Sequence, residues 1–468
     1  MYHTFYKHFV TISLLASLIA CAPKVDMLLP EPRPLGAGIP AYTAPAKGSD
    51  IRKKPQPNEP SSERLTLQDA LARALMYNPE LAASSWEVHS GTARADQARL
   101  YPNPELEVEI EEFGGSREEE GSGRSSDSLK RFEGAETTVK MSQLLELGGK
   151  RSKRTRVATL EHSVLGWDYE ARRLNLITEV TNAFIELLAL QKRLVLTGDL
   201  VKISHDLFNT VTERVSAGKV SPIEETNAQI ALSTVQIERQ RVIRDLESAR
   251  KKLAATWGST TPAFESVTGQ LETISPPPPF EQLLDQVSQN PDIARWSAEV
   301  EQREAALELA KADRIPDITL GAGLKYLNES DDETYLMAVS LPLPFLNRNQ
   351  GGILEASYDV SRATEEAAAA EIKITTELHE TYQNLLSAFD EVTTLRDTIL
   401  PGAHISFNAA REGYKEGKFS YLIVLDAQRT LIETEQEYLN ALVEYHTSKS
   451  SLERLIAQEL QTKEVPHE

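Results

Sequence analysis

The stretch from Asn78 to Val108 is written twice in this chain, and the doubling limits what the chain can fold into more than any other feature. Asn78–Val108 reads NPELAASSWEVHSGTARADQARLYPNPELEV, and Asn290–Leu320 reads NPDIARWSAEVEQREAALELAKADRIPDITL. The register holds at an offset of 212, from Asn78 and Asn290 to Pro104 and Pro316. Within it Ala82, Ser85, Glu87, Val88, Ala93 and Ala98 return as Ala294, Ser297, Glu299, Val300, Ala305 and Ala310. In each copy an Asn is placed to cap a helix, a Pro takes the first turn and Ala-rich sequence continues it. A later Pro stops the helix and an alternating segment follows. The unit to explain is a long helix that becomes a strand, made twice.

Both alternating segments predict hairpins. Glu105 to Glu111 places Leu106, Val108 and Ile110 on one face, the period of a strand with one dry side. A polar, Gly/Ser-rich loop follows, and Glu136–Leu144 returns with Val139 and Met141 on one face and Thr138, Lys140 and Ser142 on the other. In the second copy Asp317–Leu327 carries Ile318, Leu320, Ala322, Leu324 and Tyr326 on one face. An acidic turn, Asn328–Glu333, leads to a return strand marked by Tyr335, Met337, Val339 and Leu341. The hairpins fall at 103–146 and 316–346.

The rest reads as helix. Leu174, Ile177, Val180, Phe184, Leu187, Leu188 and Leu194 recur at three- and four-residue steps, as on a coiled-coil seam. Helices are expected at 66–76, 78–100, 150–198 with a further one to 215, 223–256, 280–313, 353–399, 403–415 and 420–460. Gly218-Lys219-Val220-Ser221 is answered by Gly417-Lys418-Phe419-Ser420 at an offset of 199, so the repeat covers almost the whole ordered chain. The expected organisation is a leader at 1–20, a Pro-rich tether at 21–63 and a first repeat at 64–262 with a tip turn at 216–222. A Pro-rich linker at 263–280, a second repeat at 281–460 with a tip turn at 415–421 and a tail at 461–468 complete it. The fold class is mainly α with a transmembrane β part: long coiled-coil-like helices plus two β-hairpins, four strands in all.

Charge and leader bound the location. The 468 residues carry a formal net charge of −20, which argues against attraction to nucleic acid phosphates. No run of 18 apolar residues exists to form a transmembrane helix. Lys7 and His8 precede an apolar run from Phe9 to Ala20, and Leu18-Ile19-Ala20-Cys21 closes it. Small residues before that Cys resemble the cleavage box of bacterial lipoproteins, which implies that Cys21 becomes a lipidated N-terminus. The plainer alternative is an ordinary signal peptide with an incidental Cys. Ala22 rather than Asp follows, which by the same resemblance favours the outer membrane. Cys21 is the only cysteine, so no intrachain disulfide can form. The nine His and five Met show no ligand clustering, Gly148-Gly149-Lys150 lacks the rest of a phosphate loop, and no nucleophile–base set assembles. No metal site, cofactor or catalytic residue is therefore expected.

Four strands cannot close a barrel, and an open sheet edge in lipid leaves N–H and C=O groups unpaired at several kcal/mol each. If these strands lie in a membrane, chains must combine; three copies of four would close one barrel. From about residue 64 to 460 the chain resembles the TolC-type outer-membrane efflux proteins, the exit ducts of tripartite pumps. The telling segments are LTLQDALARALMYNPEL, SQLLELGGKRSKR, LPLPFLNRNQGG and the paired Gly-Lys turns; the second and third look most like the CzcC-like heavy-metal cation branch. The resemblance implies a homotrimer with a 12-stranded β-barrel, an α-helical periplasmic tunnel and an equatorial domain. It also implies two partners, a periplasmic adaptor protein and an inner-membrane RND-type pump.

Candidate sites follow. If the apolar strand face meets lipid, Glu105, Glu107, Glu109 and Glu111 face the lumen and stack as acidic rings that favour cations; the alternative is a merely solvated surface. Glu112, Glu118, Glu119 and Glu120 would add charge at the outer mouth. The tips Gly218, Lys219, Val220, Ser221, Gly417, Lys418, Phe419 and Ser420 are where family members dock the adaptor; alternatively they are ordinary helix connections. Asp426 stands where family members place a gate carboxylate, with Glu224 near its counterpart, though local salt bridging or solvation explains both as well. Rival functions are the same duct for drugs or solvents, a periplasmic adaptor or structural coiled-coil lipoprotein, and an enzyme using the acids at 105–120.

Overall fold

The computed structural model describes residues 30–45, 62–113 and 134–460. Cys21, the leader, Glu118, Glu119, Glu120 and the tail 461–468 lie outside the described residues. The first half runs β1 (Ser62–Leu65), α1 (Leu67–Tyr77), α2 (Pro79–Ala98), β2 (Glu105–Glu111), β3 (Glu136–Leu145), α3 (Lys150–Ser216) and α4 (Pro222–Ala255). The second half runs β4 (Phe264–Val267), α5 (Phe280–Leu284), α6 (Pro291–Ala312), β5 (Ile318–Leu327), β6 (Asp332–Ser340), α7 (Gln350–Thr394), α8 (Leu400–Lys415) and α9 (Tyr421–Ile456). Among the described residues no helix is long and apolar enough to cross a membrane. The described residues sort into two compact units, 90–113 and 134–164 with 297–366, and 30–45 and 62–89 with 165–296 and 367–460, so each unit draws on both copies of the repeat.

Three expected helix boundaries differ. The helix expected to break near Gly198 runs unbroken for 67 residues as α3. No atom lies within 4 Å of where a Cβ on Gly198 would sit, so the glycine costs helix propensity of about 1 kcal/mol and nothing more. The helix expected over 280–313 is instead α5, a 3-10 turn at Val287–Gln289 and α6, because Asn290-Pro291 restarts it as Asn78-Pro79 does. Pro401 does not end its helix. A π-helical turn at Leu395–Ile399 precedes it and absorbs the missing N–H and the ring's bulk.

In the first unit the strands form one antiparallel sheet in the order β2-β3-β5-β6. Leu106, Met141, Ala322 and Met337 stand in one row, and Val108, Val139, Leu324 and Tyr335 in the next. The sheet is fastened to its helices at their roots. Asp317 accepts the Leu147 N–H at 2.9 Å and pairs with Lys150 at 2.8 Å. Burial pushes the Asp317 carboxyl up, but these two partners outweigh it and hold it below the ordinary carboxylate range. Gly148 turns the chain there with a positive φ of 69°, and a Cβ on it would meet Ile315 at 2.8 Å.

The second unit holds a large helical core. α3 buries Leu174, Ile177, Val180, Phe184, Leu187 and Leu188, the seam expected from their spacing. β1 and β4 pair in parallel, Leu65 against Val267, with β4 inside the stretch expected to be a linker. Gln191 on α3 completes the edge, donating to Val267 O at 2.9 Å and accepting from its N–H at 2.7 Å. The expected tether also packs in part. The Leu35 N–H donates to Ala457 O at 3.0 Å and the Tyr42 N–H to Leu75 O at 2.9 Å. Beneath this strap the buried Glu170–Arg173 pair closes at 2.8 Å, and Arg173 also donates to the carbonyls of Leu35 and Arg33. Composition hid this because the stabilising groups, two buried charges, sit on a helix 140 residues away.

Both copies close their long helices alike. Asn78 caps α2 through its side-chain oxygen, 2.8 Å from the Leu81 N–H, and gives its amide to the orphan carbonyl of Thr256 at 2.8 Å. Asn290 accepts from the Asp292 N–H at 2.8 Å and donates to Leu455 O at 2.9 Å. Just beyond those carbonyls the chain turns left-handed at Gly258 (φ 77°) and at Ala457 (φ 57°), with matching back-bonds from Ser259 to Ala254 and from Gln458 to Glu453. Only the first site has the residue without a Cβ. Ala457 is fully buried, so in Ala457→Gly relief of the left-handed strain is offset by the loss of a buried methyl, and stability should change by less than about 1 kcal/mol. Gly258→Ala should destabilise the protein by about 1 kcal/mol or more, because its Cβ would lie 3.1 Å from Pro79 Cγ; denaturation midpoints in urea check both.

His446 supplies a pH dependence. Burial pushes its imidazole pKa down, and its Nε2 lies 2.8 Å from Leu271 O. With the folded pKa below the unfolded one, its contribution is present above the ordinary imidazole range and is lost as pH falls through it. The thermal midpoint should fall from pH 7.5 to pH 5.5 by less in His446→Gln than in the wild type.

Candidate functional site

Two regions carry the candidate residues, the four-stranded sheet in one unit and the paired tip turns in the other.

On the sheet every second residue belongs to one of two chemically opposite faces. Leu106, Val108, Ile110, Val139, Met141, Leu320, Leu324, Tyr326, Tyr335, Met337 and Val339 share one face and are all exposed, Met337 at 91%. So broad an apolar surface is a lipid or protein contact and is too large for a soluble monomer. The opposite face carries Glu105, Glu107, Glu109 and Glu111, all exposed, as their alternation requires. The structure adds what one strand could not reveal. Glu107 pairs with Lys140 of β3 at 3.0 Å. Lys325 of β5 reaches Glu111 at 3.2 Å and also pairs with Glu136. The acidic column is therefore crossed by two ammonium groups. Gly321 and Gly323 make room for the first, because a Cβ on either would lie within 3.1 Å of the Lys140 side chain. Among the described residues β2 and β6 each have a single neighbouring strand, leaving two free edges.

At the tips the two turns share one geometry. Gly218 and Gly417 are left-handed, at φ 68° and 78°. The Lys219 N–H returns to Arg214 O at 2.9 Å and the Lys418 N–H to Gly413 O at 2.8 Å. Ser221 caps the next helix, its hydroxyl accepting from the Ile223 N–H at 3.4 Å, while Ser420 makes no such bond. Lys219, Lys418 and Phe419 are exposed and Val220 is half-buried. Phe419 folds over Gly413, where a Cβ would lie 2.2 Å from its ring.

The expected gate residues part company. The Glu224 carboxyl accepts from the Tyr414 hydroxyl at 3.0 Å, whereas Asp426 is exposed. The sequence reading missed Tyr414 and its neighbours. Tyr414 and Tyr421 are fully buried with ring centroids 5.7 Å apart, and the Arg214 guanidinium stacks 4.4 Å from the Tyr414 ring centre and bonds its carbonyl. Burial, then the bond to Glu224, pushes the Tyr414 hydroxyl up to about 12. This cluster ties the first tip to the second above a small core of Leu207, Val211, Phe407, Val424 and Leu431. The available signal was two tyrosines flanking only one of two otherwise matching turns. Tyr414→Phe removes the hydrogen bond to a charged partner, a loss of about 1.5 kcal/mol. Limited proteolysis should then cut the tip turns faster, with the rest of the fragment pattern unchanged.

Comparison with known proteins agrees with these features. The family model described as outer membrane efflux protein matches residues 70–259 and 284–458. The cobalt-zinc-cadmium resistance protein CzcC of Cupriavidus metallidurans is 32% identical over 392 residues, covering 84% of this chain and 90% of that one. The nickel-cobalt-cadmium resistance protein NccC of Alcaligenes xylosoxydans xylosoxydans is 24% identical over 297 residues, 64% of each chain. Among solved structures CusC superposes with a TM-score of 0.71 at 18% identity, covering 84% of this chain and 92% of that one.

Proposed function

This chain belongs to the outer membrane efflux protein family, and we propose that it is the passive exit duct of a system that expels divalent metal cations. The observation that carries the duct reading is the sheet: an exposed apolar face, a charged face and two unpaired edges. Hydrocarbon offers those edges no hydrogen bonds, so they must find other copies. β2 and β6 run in opposite directions, so β6 of one copy can pair antiparallel with β2 of the next, a head-to-tail contact that closes into a ring. Two copies would give about eight strands, whose interior side chains fill; three give twelve, which leave a passage. The duct is then a homotrimer. The glutamate face then lines the lumen, and the long helices form a periplasmic tunnel.

The cargo reading rests on the 32% identity to a cobalt-zinc-cadmium resistance protein. The acidic residues Glu105, Glu107, Glu109 and Glu111 support it by concentrating cations. No step in this duct is catalytic; an inner-membrane pump of the RND type supplies the energy. The tips Gly218–Ser221 and Gly417–Ser420 take the adaptor, offering Lys219 and Lys418 as charges and Val220 and Phe419 as apolar contacts. The Tyr414–Glu224 tie is the element that adaptor binding must loosen, with Asp426 and Glu224 as gate carboxylates. Lipidation at Cys21 would anchor the N-terminus in the same membrane.

Deleting the gene should lower tolerance to zinc, cobalt and cadmium while tolerance to drugs and toluene stays unchanged. The reverse pattern would overturn the cation reading. Cross-linking of the outer-membrane fraction should give a species of three chains.

A further inference from the structure

We propose that Lys325 is a tethered counter-cation that keeps the Glu111–Glu136 pair from trapping the divalent cations this duct passes. The inference rests on the duct reading above and adds a residue that sets how strongly the passage holds its cargo.

Register makes the argument. Glu111 of β2 and Glu136 of β3 stand directly opposite one another. Both lie on the polar face, and side chains directly opposite have Cβ atoms about 5 Å apart. Like charges so placed repel, and two carboxylates at that spacing suit one shared cation. β5 sets Lys325 opposite Thr138, one pleat from Glu136 on the same face. From there its ammonium meets both carboxyls at once, that of Glu111 at 3.2 Å and that of Glu136 in closer contact. Lys140 is held differently, by Glu107 alone at 3.0 Å. Lys325 is thus the group that sits where an ion shared by two carboxylates would sit.

The consequence for transport is physical. An ion path needs sites that attract the ion and also let it go. A bare Glu111–Glu136 pair, repeated in each copy, would hold a divalent ion and slow those behind it. An ammonium on a flexible stem halves the net charge of the pair, occupies the position between the two carboxyls and is itself covalently retained. The remaining carboxyls on the face, Glu105 and Glu109 among them, still give a diffuse negative potential.

The test is conductance of the purified full-length protein in planar bilayers, with potassium current as the readout and Co²⁺ or Zn²⁺ as the added probe. The wild type should conduct and resist block by either ion. Lys325→Gln should be half-blocked at a concentration lower by about tenfold or more, and Lys325→Gln with Glu136→Gln should return to wild-type resistance. Equal sensitivity of Lys325→Gln and wild type would overturn the proposal while leaving the duct reading intact. A wild type that carries no current would overturn the duct reading, and the inference with it. If Lys325→Gln does not assemble, Lys325→Met keeps the aliphatic stem and carries the same expectation. Assembly of either variant only when Co²⁺ or Zn²⁺ is present would support the proposal, and failure with and without metal would overturn it.

Discussion

A backbone N–H or C=O group in hydrocarbon has no water to turn to, and each one left unpaired costs several kcal/mol. The sheet in this chain meets that constraint only halfway. Its inner strands β3 and β5 are paired on both sides, while β2 and β6 each end in a free edge. Its apolar face, from Leu106 across to Met337, is exposed in the single chain. Water disfavours that face and lipid disfavours those edges, so neither environment suits one copy alone. Association with further copies and insertion into lipid would remove both penalties together.

The helices face a different form of the same accounting, because every helix end strands carbonyls and N–H groups. The chain solves this with one device used twice. Asn78 and Asn290 each cap one helix with an oxygen and satisfy the far end of another with an amide. The left-handed residues that follow, Gly258 and Ala457, show where the two copies have drifted: the second keeps the geometry with a residue that is strained in it. The π-helical turn before Pro401 is a second such departure. At Ala457 the backbone keeps the left-handed geometry of Gly258, whereas before Pro401 the backbone itself changes.

The candidate residues lie on two surfaces. The polar strand face holds glutamates whose charge is moderated by Lys140 and Lys325. The tips present paired left-handed turns joined through Tyr414, Glu224 and Arg214. The match to the outer membrane efflux protein family takes in both the strands of the sheet and the long helices.

Much of this was legible in the residues. Period-two alternation in Glu105–Glu111 and in Ile318–Leu327 gave strands and told their faces apart, because successive side chains on a strand must point opposite ways. The paired Gly-Lys motifs marked two helix connections, and the chain turns left-handed in both, at Gly218 and Gly417. What the sequence could not carry was which distant groups meet. Strand register between β3 and β5, set by pairing residues some 180 positions apart, brings Lys325 to Glu111 and Glu136. Helix packing brings Tyr414 to Glu224, and the buried Glu170–Arg173 pair draws in a proline-rich strap that composition alone marks as loose. Local periodicity is written along the chain because it depends on neighbours in sequence. Charge pairing and strap docking depend on neighbours in space, and only the folded structure chooses those.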